Sequence, residues 1–124
     1  MTLEELKKAL EAYTANPDQT NTDKLVKGFA SMIKTNAEIY IDAIPSPINP
    51  NVDVPSGFNG PDGKFYVHVF TDKEALHAVT ERNGKPVHLQ ALNAFVLKNQ
   101  QIGGYSLNPH GTSAVLITNE DLHQ

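Results

Sequence analysis

The chain has 124 residues and a mass of 13.6 kDa, the size of one domain that buries well over half of its unfolded surface, so a second independent core is not expected. A composition of 40% hydrophobic and 19% charged residues lies far from that of chains that stay disordered. The formal net charge of -4, the lack of cysteine and a lone arginine, Arg82, argue against a nucleic-acid binder, a disulfide framework, a thiolate nucleophile and a cysteine-held zinc.

The N-terminal stretch MTLEELKKALEAY is acidic from Glu4, unlike a signal peptide, and no apolar run approaches the length of a membrane span. The expectation is therefore a cytosolic protein without a membrane partner. Thr2 and Glu5 have capping-box spacing, and Leu3, Leu6, Leu10 and Tyr13 recur on one face of the helix they open. Pro17 and its turn-forming neighbours break that helix. A second is predicted over 22–34, with Leu25, Val26, Phe29, Met32 and Ile33 on its buried side. Residues 1–36 thus read as a helical pair that packs on a sheet formed within 37–124.

Ala37 to Ile44 and Lys64 to Phe70 are β-branched and aromatic, and each alternates between two faces. In the first strand Ile39, Ile41 and Ala43 oppose Tyr40, Asp42 and Ile44. In the second, Phe65, Val67 and Val69 oppose Tyr66, His68 and Phe70. Residues 45–63 hold five of the eight prolines and read as a long loop; loops of that length are often functional. Its last residues, GPDG, supply turn chemistry for the next strand. A helix follows, with Thr71 and Glu74 as a second capping box, Ala75, Leu76 and Val79 inward, and Gly84 as a left-handed cap. A short strand near 87–89, a helix over 91–100 with Leu92, Phe95 and Val96 inward, and strands at 105–107 and 114–118 complete the order. This mixture of hairpins and crossovers predicts an α+β (or α/β) domain, a mixed sheet of about five strands packed with about four helices.

Little in the chain carries chemistry. His68, His77, His88, His110 and His123 are dispersed, and none has the helical spacing of a zinc peptidase. No metal and no cofactor is expected. The stretch NPHGTS, 108–113, reads first as a hairpin connector: Asn108 and Pro109 start a turn and Gly111 accepts a positive φ. Its functional alternative is a polar rim of Asn108, His110, Thr112 and Ser113 that contacts a ligand. If the first two strands pair antiparallel, Tyr40, Asp42, Tyr66 and His68 share a face, and an Asp–His pair can orient an imidazole for general-base work. The plainer reading is a half-solvated cross-strand pair.

YVHVFTDKEAL, followed after about thirty residues by GGYSLNPHGTSAVLITNEDL, resembles the N-terminal domain of the SseB family, named for enhanced serine sensitivity. The resemblance rests on Phe70, Thr71 and Asp72, then Asn108 and Pro109, then Glu120 and Leu122, with IYIDAIP matching the family's first strand. It covers roughly 22–122. It implies a fold and no catalytic residues.

Two functions follow as expectations. The first is a non-enzymatic binding module in which the 45–63 loop, including Phe58 and Asn59, and the 108–113 turn contact a protein or small ligand. The second is a small hydrolase or transferase that uses Asp42 and His68, or His110. A homodimer through a strand edge or helix face stays open.

Overall fold

The computed structural model describes residues 2–81, 84–110 and 113–122. The chain opens with a helical hairpin, α1 (Leu3–Ala15) and α2 (Gln19–Lys34). The Thr2–Glu5 capping box forms in both directions. The second helix begins three residues before 22, because Asp18 rather than a later threonine caps it, its carboxylate accepting from the Asn21 N–H at 2.8 Å. Leu6 and Leu10 from α1 and Leu25, Phe29 and Met32 from α2 are buried in the core, while Val26 and Ile33 lie at its margin.

The predicted first strand is interrupted. It forms β1 (Glu38–Ile41), breaks at Asp42, and resumes as β2 (Ala43–Pro45), which pairs antiparallel with β3 (Asp53–Pro55) in a separate two-stranded sheet. Strand β4 (Gly57–Asn59) then pairs with β5 (Phe65–Phe70). The expected long loop is thus interrupted by short strands: Pro45 and Pro55 end the β2 and β3 ladders, while Pro47, Pro50 and Pro61 stay in the bends and turns between strands. Only the turn before β5 matches the forecast, with Gly63 at φ 80 and its N–H bonded to the Gly60 carbonyl.

Helix α3 (Lys73–His77) is followed by β6 (Lys85–His88), α4 (Leu89–Lys98), β7 (Ile102–His110), β8 (Ser113–Thr118) and α5 (Asn119–Leu122). The main sheet has the order β6-β1-β5-β7-β8, with β4 beside β5. Its β5–β7 pair is parallel and the β1–β5, β1–β6, β4–β5 and β7–β8 pairs are antiparallel. The protein is therefore an α+β domain on a mixed sheet.

The two sheet faces differ in chemistry. Ile39, Ile41, Val67, Val69, Tyr105, Leu107 and Ile117 form one face and pack against α1, α2 and α4 in a continuous core. Each fully buried aliphatic or aromatic side chain there contributes about 1.5–3 kcal/mol by leaving water. Phe29 and Tyr105 meet at 4.8 Å between ring centroids, and the Tyr105 hydroxyl donates to Asn93 Oδ1 at 2.7 Å, which satisfies the polar end of a wholly buried ring. The other face carries Tyr40, Tyr66, His68, Phe70 and Ser106. Short α3 packs against β1 and β5, and Leu76 and Phe70 are buried outside the main core.

Two local forecasts change at the β5–α3 junction. Asp72, not Thr71, caps the helix, accepting from the Ala75 N–H at 2.7 Å. Val79 falls beyond the helix end at His77 and is 42% exposed instead of inward. Gly84 does adopt a positive φ of 61, but the helix ends at His77 with Ala78 as its C-cap, so Gly84 turns the chain into β6 instead of capping α3. Thr71 is occupied elsewhere: its N–H donates to Asn108 Oδ1 and its Oγ1 accepts from Asn108 Nδ2, both at 2.9 Å. This reciprocal pair ties the carboxyl ends of parallel strands β5 and β7 together. Asn108 makes it from φ 45, at the point where the β7–β8 register shifts. Asparagine tolerates that left-handed geometry better than other side-chain-bearing residues. Asn108→Ala is expected to lower unfolding free energy in urea by about 2 kcal/mol or more, through two lost hydrogen bonds and a strained φ. Asn108→Gly, which loses the bonds but relieves the strain, should cost less. Equal losses would remove the positive φ from this account, and no loss in either would remove the clamp.

Candidate functional site

One edge of β5 is shared. Phe70 and Val69 pair with Tyr40 and Ile41 of β1, while Val67, Tyr66 and Phe65 pair with Gly57, Phe58 and Asn59 of β4. His68 lies at the gap between the two partners. There the chain leaves the sheet at Asp42 and returns at Ser56. Ser56 N–H donates to the Asp42 carbonyl at 2.8 Å, and His68 N–H donates to the Ser56 carbonyl at 2.9 Å. The Ser56 hydroxyl donates to Asp42 Oδ2 at 3.0 Å. Asp42 is only 4% exposed, so this bond to a buried carboxylate fixes the base of the excursion.

Asp42 and His68 do come to one neighbourhood, as the strand alternation predicts, since the Asp42 charge acts on the imidazole. Burial is the larger influence and holds the His68 pKa below 6.5, with Asp42 opposing it. Ring Nδ1 is buried without a hydrogen-bond partner. A general base of the Asp–His kind needs the carboxylate on one ring nitrogen to set the tautomer. Here a carboxylate oxygen accepts a serine hydroxyl, and Nδ1 has no carboxylate on it. Aromatic rings surround the imidazole instead: Phe58 stacks on it at 5.6 Å and 13°, and Phe70 lies 6.4 Å away.

Phe58 thus joins His68, and Asn59 is an exposed residue at the end of β4 opposite Phe65. The 108–113 residues lie elsewhere. Asn108 is beyond the Val69↔Leu107 pair, whereas Phe58 is level with Tyr66. Four strand residues separate the two levels, about 13 Å at 3.3 Å per residue. Both amide atoms of Asn108 are engaged by Thr71, so its role is to clamp the strands. His110 and Ser113 are paired across the β7–β8 hairpin, as a connector requires; Thr112 lies outside the described residues. Among the described residues, no group of three or more His, Cys, Asp or Glu side chains could hold a metal ion.

Next to the clamp, Asn108 lines a cavity of about 360 Å3 together with Lys7, Leu10, Glu11, Thr14 and Ala15 of α1. Lys7 Nζ lies 2.9 Å from Asp72 Oδ2 and ties that helix to the α3 cap. Burial pushes the Asp72 carboxyl up, but the Ala75 N–H and Lys7 outweigh it and its pKa falls below 3.8. On the far side of β5, the Tyr66 hydroxyl donates to Asp62 Oδ2 at 2.7 Å, and burial with this bond raises the phenol to about 12.

One residue was not legible as functional in the sequence, and one segment expected to make contacts has a form that was not. Ser106, wholly buried on β7 opposite His68, reads as an ordinary strand residue, and only its orphaned Oγ marks it out. The other is the β2–β3 hairpin, an arm on its own ladder. Its tip is ordered by Ser46, whose Oγ accepts from the N–H groups of Ile48 and Asn49 at 3.2 and 3.3 Å, and whose N–H donates to Val52 at 2.8 Å. Ile48 is 94% exposed and Val52 50%. The signal available was composition: no residue from Ala43 to Val52 is charged.

Fold and site together define a small α+β domain with helices on one sheet face, a polar-aromatic patch on the other, and an arm leaving the sheet edge. The chain belongs to the SseB family: the family described as SseB protein N-terminal domain matches residues 6–124. No curated protein and no solved structure matches the chain. No helix among the described residues is long and apolar enough to cross a membrane.

The depressed His68 pKa sets a pH dependence. Between the folded pKa and 6.5 the unfolded chain binds more protons, so this contribution to stability is complete above 6.5 and is lost as pH falls through the folded value. Thermal unfolding of the wild type should therefore move to lower Tm as pH drops below about 6.5. In His68→Phe that segment of the Tm–pH curve should flatten. An unchanged slope in the variant would show that His68 titrates alike folded and unfolded.

Proposed function

We propose that this domain is a non-enzymatic protein-binding module whose contact element is the β2–β3 arm. The observation that carries the reading is the near-complete exposure of Ile48, with Val52, at the tip of a hairpin ordered by its own hydrogen bonds. Large aliphatic side chains held in water on a projecting element serve recognition better than folding. The ordered tip also lowers the entropy lost on docking. Since 43–52 carries no charge, the partner that fits is a protein with an uncharged apolar groove wide enough for isoleucine and proline rings. A cytosolic address accords with the acidic, cysteine-free chain.

The hydrolase or transferase reading has less support. Its proposed pair lacks a carboxylate on His68 Nδ1, and Asp42 accepts from Ser56.

The test compares the wild-type domain with Ile48→Asp/Val52→Asp. A partner captured by the wild type from lysate is purified and its affinity for both proteins measured by calorimetry. Loss of the tip anchors should weaken binding about thirtyfold, the effect of one hot-spot residue, while Tm stays the same because neither side chain is buried. Equal affinity for both proteins, or no wild-type partner, would overturn the reading.

A further inference from the structure

His68 and Ser106 are register partners on the parallel strands β5 and β7 and share a sheet face. Ser106 is 0% exposed. Ser106 Oγ and His68 Nδ1 are both buried without a hydrogen-bond partner. Buried polar atoms are nearly always paired, and two orphans on register partners of one sheet face share a single explanation more readily than two separate ones.

The geometry points to a small polar site between β5 and β7 that takes one uncharged hydroxyl group, from a water molecule or a small alcohol, bridging His68 Nδ1 and Ser106 Oγ. A hydroxyl oxygen donates and accepts, which complements a serine hydroxyl and a neutral imidazole nitrogen together. Charged ligands fit poorly. The surroundings are the Phe58 and Phe70 rings, and burial keeps the imidazole neutral, so it supplies no counter-charge. Asp42, whose charge reaches the imidazole, accepts the Ser56 hydroxyl. This site is independent of the arm's role, because the substitutions that test one leave the other's side chains in place.

The experiment uses nuclear magnetic resonance on the whole domain. In the wild type, cross-relaxation between the Ser106 or Leu107 amide proton and a long-lived water is expected if water is the occupant. If the occupant is an alcohol, titration with ethanol or glycerol should instead move the His68 ring nitrogen resonances. Either signal should vanish in Ser106→Ala; should that variant not fold, His68→Phe is used, with water cross-relaxation and alcohol-induced shifts both read on the Ser106 and Leu107 amides, where both should be lost. A wild-type spectrum with neither signal, or a signal that survives the substitution, overturns the proposal.

Discussion

A β-strand has two hydrogen-bonding edges, and the way β5 spends them organises this domain. One edge goes to β7 in parallel register. The other is divided, with β1 taking Val69 and Phe70 and β4 taking Phe65 to Val67. A chain that must serve both halves of one edge has to leave the sheet between them. It does so at Asp42 and returns at Ser56, and everything between becomes an arm with a ladder of its own. Exposed apolar residues at its tip and a histidine at its base follow from the same division. His68 is the β5 residue whose backbone bonds to the returning chain through Ser56.

The parallel pair needs a different fastening. Parallel strands have no tight hairpin between them, so their carboxyl ends meet only through tertiary contacts. Thr71 and Asn108 provide one, 37 residues apart in sequence and doubly hydrogen-bonded. This gives physical meaning to the two motifs that carry the family resemblance. Phe70 fills the second face, Thr71 takes one half of the clamp, Asp72 caps the helix, and Asn108 takes the other half from a left-handed turn. Such motifs preserve a joint between strands. A protein can therefore belong to the SseB family by these residues without any of them performing chemistry.

The two sheet faces divide the work. The aliphatic face supplies the stability, with α1, α2 and α4 covering it. The opposite face is mixed, where aromatic rings crowd a neutral imidazole and a buried serine hydroxyl has no protein partner.

Much of this was legible in the sequence because it depends on near neighbours. The Thr2–Glu5 box, the apolar stripes of the first two helices, the alternation of β1 and β5, the Gly63 turn and the closing hairpin all rest on residues within a few positions of one another. What escaped depends on register between distant segments. No local rule reveals that Thr71 abandons its capping role for Asn108, that Val79 falls beyond a five-residue helix, or that Ser106 meets His68. The prolines of 45–63 suggested a loop because proline rarely sits in a ladder, yet at the ends of short strands its missing N–H costs nothing. The sequence by itself determined the first two helices with the Thr2–Glu5 cap, strands β1 and β5, and the apolar faces of these elements, which are set by local hydrogen bonding and hydrophobic periodicity. Only the tertiary structure decided which edge each strand occupies, and with it the arm and the polar site, because an edge is a property of the partner that fills it.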